Sequence, residues 1–225
     1  HGDLLKLVRG HPTVPYMAMN NSCVSDTATK NSDVLRSRAM FGHVRAKSAG
    51  PLDRKNSHPF VYNTLTWMHN GGIVSFDAVK DRIRDAISTY GLVAGSTDSE
   101  LAGAMFVDKL NDKQGPPFSL DALKGAMRAT VKGIVELTED HGDSSLNFAV
   151  TDGTNLVVSR YRSAKLEDPP TLYYKLQHDA KAIVVASEPL VTDPTALKEW
   201  TLLGKDRLLA FSPSAGLTID CIDPE

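Results

Sequence analysis

Cysteine is scarce in this chain. Its 225 residues carry two, Cys23 and Cys221. They form no C-x-x-C pair, so they cannot build a zinc cluster by themselves, and so few thiols in a chain of this length fit a reducing, cytoplasmic setting. Long apolar runs are also missing. None approaches the roughly 20 residues that a bilayer-spanning helix needs, so no membrane role is expected. The opening His1-Gly2-Asp3-Leu4 has no basic segment followed by an apolar one and is not a signal peptide. It also lacks a methionine, and reads as starting inside a longer gene product. Charge of either sign is not in excess: 25 Lys and Arg against 27 Asp and Glu give a net charge of −2. That balance argues against nucleic acid or an anionic membrane as the main partner. There is no internal repeat and no low-complexity tract.

What is present is an ordinary globular composition, 41% hydrophobic and 23% charged. The length fits one large domain over residues 1–225 that buries its core without metals or disulfides. Leu4 to Val8 and Ala39 to Ala46 read as strands, and residues 20–27 as loop. Val61 to His69 reads as one strand, with Leu65 and Trp67 on one face and Thr64, Thr66 and Met68 on the other. Asn70-Gly71-Gly72 reads as a sharp turn.

Three helices are then expected. Ser75 caps the first, which runs to about Tyr90 and buries Phe76, Val79, Ile83, Ile87 and Tyr90. Thr97 and Glu100 form a capping box that starts the second, ending near Leu110. Ser119 opens the third, with Leu120, Leu123, Met127, Val131, Ile134 and Leu137 inward. After Gly142 the period switches to two. Leu146–Thr151 and Leu156–Tyr161 flank Asp152-Gly153-Thr154-Asn155 as a hairpin. Leu172–Leu176 and Ala182–Ala186 read as strands, Trp200–Leu203 and Arg207–Phe211 as a second hairpin, and Thr218–Ile222 as an edge strand. Strands, then helices, then antiparallel strands make an α+β order.

Four short segments carry the chemistry: His43-Val44-Arg45, Asn56-Ser57-His58-Pro59-Phe60, His69-Asn70-Gly71-Gly72-Ile73 and Ser96-Thr97-Asp98-Ser99-Glu100. Each has a plain reading alone. Arg45 is then a solvated or salt-bridged cation, His58 a satisfied loop or core histidine, Asn70-Gly71 a turn, and Asp98 a favourable charge at a helix start. His43, His58 and His69 could approach one another, but no carboxylate or cysteine has ligand spacing to them. No metal is therefore expected.

Taken in order, these segments resemble the class II glutamine amidotransferases, an Ntn-type family. Leu146-Asn147-Phe148-Ala149-Val150-Thr151-Asp152-Gly153, Val158-Ser159-Arg160-Tyr161 and Val185-Ala186-Ser187-Glu188-Pro189-Leu190 extend the likeness, which covers roughly residues 34–211. The wording is most similar to the branch containing the fungal γ-glutamyl amidotransferase subunit of glutathione degradation.

The resemblance implies a four-layer αββα sandwich, two antiparallel sheets face to face with helices outside. It implies a γ-glutamyl amide substrate, no cofactor, and, in the related pathway, a metallopeptidase-like partner subunit. It gives Asn70 and Gly71 the oxyanion role, an amide N–H and a backbone N–H directed at the carbonyl oxygen as it becomes negative. Arg45, a planar bidentate donor, suits the substrate α-carboxylate, and Asp98 suits its α-ammonium. His58 and His69 are the weaker substrate-site candidates, bracing the pocket loops. The nucleophile in the family is an N-terminal cysteine whose own α-amine acts as base. Cys23 is internal and reads, like Cys221, as a partly buried free thiol. The sequence thus leaves two readings, an enzyme whose cysteine lies on a preceding segment, or a γ-glutamyl-binding scaffold without a nucleophile.

Overall fold

The computed structural model describes the backbone at residues 6–7 and residues 39–43, 54–110, 115–177, 179, 181–191 and 193–222. Arg45, Cys23 and the Gly2-Asp3 start lie outside the described residues.

Period-two alternation places the larger sheet. It has six strands in the order β11-β10-β6-β5-β4-β3. These are β3 (Phe60–Tyr62), β4 (Leu65–Gly72), β5 (Ser145–Thr151), β6 (Leu156–Arg160), β10 (Arg207–Ser212) and β11 (Gly216–Cys221). All neighbours in it are antiparallel. A second antiparallel sheet is ordered β8-β7-β9, from β7 (Tyr173–Gln177), β8 (Ala182–Ala186) and β9 (Thr201–Leu202). A short ribbon joins β1 (Lys6–Leu7) to β2 (Phe41–Gly42).

Each face of the large sheet buries its own core. Leu65, Trp67, Phe148, Val150, Val157 and Leu208 meet helices α1 (Phe76–Asp85), α2 (Asp98–Lys109) and α3 (Leu120–Thr138). Met68, Ala149, Val158 and Leu209 meet Leu172, Ile183, Val185 and Leu203 of the small-sheet side. The result is the expected pair of facing antiparallel sheets with helices outside. The described residues supply three layers, helix, sheet and sheet.

The local signals hold in places and fail in others. α3 buries Leu123, Met127, Val131 and Ile134 as its spacing predicts, and Ser119 Oγ accepts the Ala122 N–H. β5 and β6 form the expected hairpin. The stretch expected as one strand from Val61 is instead a tight hairpin, Phe60–Tyr62 returning as Leu65–Gly72. Asn63, at φ 54°, makes the turn. The expected turn at Asn70-Gly71-Gly72 is strand, paired through Gly72 with Ser145.

α1 ends at Asp85, short of Tyr90. Ser88 and Thr89 draw the chain away, because Ser88 N and Oγ donate to Asp108 and Thr89 Oγ1 donates to the Ala104 carbonyl. Tyr90 is consequently exposed, with the Arg84 guanidinium 5.9 Å from its ring centre. Ser75 stands at the helix start but is left-handed, at φ 47°, and makes no side-chain cap. The expected second hairpin is a crossing between sheets. β9 pairs with β7, whereas β10 pairs with β6 and β11. Buried Leu203 fixes the crossing, its N–H donating to the Leu172 carbonyl. Cys221, expected to be partly buried, is an exposed free thiol on the edge strand β11, with Arg207 donating to its sulfur.

Candidate functional site

The end of β4 is shaped by a residue that has no side chain. Gly71 lies at φ 147°, outside the range that L side chains favour. A β-carbon there would fall 2.1 Å from the Ser145 carbonyl oxygen and 3.0 Å from His69 Nε2. β4 can therefore pair with β5 to its last residue only because position 71 is glycine. Asn70, half-buried, faces Asn147 across the ladder. The Asn147 amide is committed, Nδ2 donating to the Pro170 carbonyl and Oδ1 accepting the Tyr161 N–H. The Asn70 amide makes no side-chain hydrogen bond to the described residues. Its N–H groups remain available to a ligand at a strand end.

The start of α2 is fastened to this strand end from several directions. Thr97 Oγ1 accepts the Glu100 N–H, the expected cap. The Glu100 carboxylate does not complete the box. It reaches further back and accepts from Ala94 N at 2.8 Å and Gly95 N at 2.7 Å. Trp67 Nε1 donates to the Ser99 carbonyl and Tyr62 Oη to the Glu100 carbonyl. Burial, with Glu100 nearby, raises the Tyr62 phenol well above its ordinary range, so it stays protonated and keeps donating. α2 also lies close against the sheet at Gly103, where a β-carbon would stand 2.7 Å from the Tyr62 ring and 2.9 Å from Trp67.

These attachments bring Asp98 to the glycines. Asp98 Oδ2 accepts the Ile73 N–H at 3.0 Å, and Oδ1 accepts the Ser99 N–H at 2.8 Å. A β-carbon on Gly72 would lie 3.8 Å from Oδ2. Ser99 Oγ also lies 3.2 Å from Oδ1, whereas Oδ2, with two lone pairs and one donor, retains capacity for a further one. Asn70, Gly71 and Asp98 are thus gathered at one strand end.

His69 lies beneath them and is 3% exposed. Its Nε2 is 3.0 Å from the Ser145 carbonyl oxygen and its Nδ1 is 3.1 Å from Ser99 Oγ. A carbonyl only accepts, so Nε2 carries a proton. Both ring nitrogens are engaged inside the protein, and His69 acts as a strut between β5 and α2. His58 is not part of this cluster. Its ring stacks on His43 at 4.1 Å and meets Phe60 edge-on at 4.7 Å. That stack joins two of the sequence segments, and His43 stands two residues before Arg45. Ser99 was not singled out by sequence reasoning. Its signal was its place directly after Asp98 in the first turn of a capped helix, where a hydroxyl is easily taken for capping chemistry.

Two cavities are outlined among the described residues, and neither is lined by Asn70, Gly71 or Asp98. One of about 370 Å³ opens beside α1 and is walled partly by Gly95, Ser96 and Thr97. The other, about 280 Å³, is lined by Thr151, Asn155 and Phe211. Thr151 pairs with Thr66, four residues before Asn70, so this second cavity lies roughly 14 Å along the strand from the cluster.

A side-chain amide and a glycine beside a carboxylate can hold a developing oxyanion near a bound cation. The family model of the class II glutamine amidotransferases matches residues 15–221. The chain is 34% identical over 238 residues to the probable glutamine amidotransferase DUG3 of Saccharomyces cerevisiae, covering 92% of this chain and 65% of that protein's length. Its fold superposes on a glutamine aminotransferase class-II domain protein of Silicibacter pomeroyi with a TM-score of 0.72 at 24% identity, over 99% of both chains. It also matches the glutamine phosphoribosylpyrophosphate amidotransferase of B. subtilis with a TM-score of 0.57 at 16% identity, over 99% of this chain and 43% of that one. With a family match that spans most of its length, the chain belongs to the class II glutamine amidotransferases.

Proposed function

We propose that the full-length protein cleaves or transfers a γ-glutamyl amide through a cysteine acyl-enzyme, with glutathione or a related γ-glutamyl compound as the preferred substrate class and glutamine as the simplest member. In this reading the thiol of an N-terminal cysteine adds to the γ-carbonyl and its α-amine takes the proton. The carbonyl oxygen becomes an oxyanion held by Asn70 Nδ2–H and the Gly71 N–H. The amine leaves protonated, and water or an acceptor amine then attacks the thioester. Arg45 holds the α-carboxylate and Asp98 the α-ammonium. His69 and His58 support the walls.

The observation that carries this reading is the joining of the Asn70-Gly71 strand end to Asp98 through the Ile73 N–H. Asn70 and Gly71 are neighbours on β4, while Asp98 comes from a second segment 25 residues beyond Ile73, and a scaffold has no use for that convergence. The preference for glutathione rests on the wording of the Trp67–Ile73, Asn147–Gly153 and Val185–Leu190 segments. A metallopeptidase-like partner subunit and a cytoplasmic location belong to the same reading, as does a single amidotransferase domain over residues 1–225 completed by a preceding segment. Among the described residues no helix is long and apolar enough to cross a membrane.

The test is hydrolysis of glutamine and glutathione by the full-length protein. Asn70→Ala is expected to lower kcat by about 10²–10³, as loss of one oxyanion donor does, with an unchanged melting temperature. Turnover equal to wild type would remove the oxyanion role. Absence of any γ-glutamyl hydrolysis by the wild type would favour the scaffold.

A further inference from the structure

The hydroxyl of Ser99 has two acceptors and one proton. Its oxygen is 3.1 Å from His69 Nδ1 and 3.2 Å from Asp98 Oδ1. The Ser145 carbonyl fixes a proton on His69 Nε2. Because it only accepts, Nε2 of His69 must be the protonated nitrogen, and in the neutral imidazole Nδ1 is then an acceptor. With a neutral ring Ser99 O–H donates to Nδ1 in place of Asp98 Oδ1, the other acceptor within reach, and turns oxygen lone pairs toward that carboxylate. Two acceptor oxygens, one carrying charge, face each other at a spacing that a hydrogen bond between them would otherwise explain. A cationic N–H donor placed between them relieves that repulsion, and an ammonium has three such donors.

We infer that Ser99 is a second ligand of the substrate α-ammonium, sharing it with Asp98, and that His69 orients the Ser99 hydroxyl for this task. The inference rests on the γ-glutamyl reading above and deepens it. It makes the site selective for a γ-amide that bears a free α-amino group, over one that differs only in lacking it. His69 is on this account a positioning residue: it touches no substrate, and it fixes which way a hydroxyl points by anchoring its own proton on the β5 backbone.

The experiment compares glutamine with its desamino analogue, 4-carbamoylbutanoate, as substrates of the full-length protein. Ser99→Ala removes the hydroxyl. Ser99→Cys keeps a similar volume and a weak S–H donor for Nδ1 but accepts poorly, so it reports even if the alanine variant folds badly. Both variants are expected to raise KM for glutamine about tenfold, a loss of about 1.4 kcal/mol, and to leave KM for the desamino analogue within about twofold of wild type. Ser99→Thr, which retains the hydroxyl, is expected to keep wild-type values with both. Equal rises for both substrates would mean a purely structural residue and overturn the inference, as would no change with glutamine. If the wild type hydrolyses neither substrate, the γ-glutamyl reading itself fails and this one with it.

Discussion

A β-carbon at position 71 would press on the Ser145 carbonyl at 2.1 Å, and no rotation of a flexible side chain relieves a backbone contact. Gly71→Ala is therefore expected to separate the last pair of β4 from β5. Since His69 Nε2 donates to that same carbonyl, the strut shifts with it. The expected outcome is a fall in kcat of at least about 10², the order of a lost oxyanion donor, together with a lowered melting temperature. An alanine variant with wild-type kcat would show that the backbone at 71 takes no part in the reaction. Asn70 contrasts with it, since its side-chain amide has no hydrogen-bond partner among the described residues and its truncation is expected to cost little stability. At this scale the sequence showed residue types well. Asn70, Gly71 and Asp98 stood out through motif order, whereas Ser99 did not, because a hydroxyl gains its meaning only from the imidazole and carboxylate placed on either side of it.

Among elements, α2 is the one whose start is specified most heavily. Thr97 caps it, Glu100 holds the two residues that lead into its loop, and Trp67 and Tyr62 grip its first-turn carbonyls. Loss of a Thr cap costs about 1 kcal/mol. Thr97→Ala is expected to lower stability to denaturant by about that amount and to raise KM for glutamine, since the first turn carries Asp98. A stability loss with no KM change would uncouple the cap from the site. Periodicity made α3 and the β5–β6 hairpin readable, because each buries one continuous face. It did not reveal the turn at Asn63, the early end of α1 or the sheet crossing after β9. Asn63 interrupts no hydrophobic pattern. α1 is stopped by hydrogen bonds from Ser88 and Thr89 to a helix many residues later. Two apolar runs separated by Gly204-Lys205-Asp206 look alike whether they pair with each other or with strands elsewhere. Such partnerships are long-range facts that a local pattern does not contain.

Across the whole molecule, the helix layer is tied to the far edge of the large sheet by Asp220. Its Oδ2 is 3.0 Å from Lys124 Nζ and 3.3 Å from Arg128 Nη2, joining β11 to α3. The hydrogen bond from Lys124 holds the Asp220 carboxyl below the usual carboxylate range, with the charges of Lys124 and Arg128 adding to the effect. A carboxylate whose pKa is depressed by folding contributes stability above its unfolded value, about 3.9, and loses it as pH falls through the folded value. Asp220→Asn is expected to melt below wild type at pH 7, by a modest margin because the pair is partly solvated, with the gap closing as pH drops below about 4. A gap constant across that range would assign the effect to packing. Arg128 also donates to the Cys221 carbonyl, occupying one backbone acceptor of this edge strand.

Gly103 follows Asp98 by five residues in the same helix and is no member of the cluster, yet it sets how far α2 stands from the strands beneath it. Because α2 carries Asp98 and β4 carries Asn70, that spacing is also the calibre of the site. The separation of Asp98 from Asn70 is therefore gauged by an absent methyl group where the helix meets Tyr62 and Trp67.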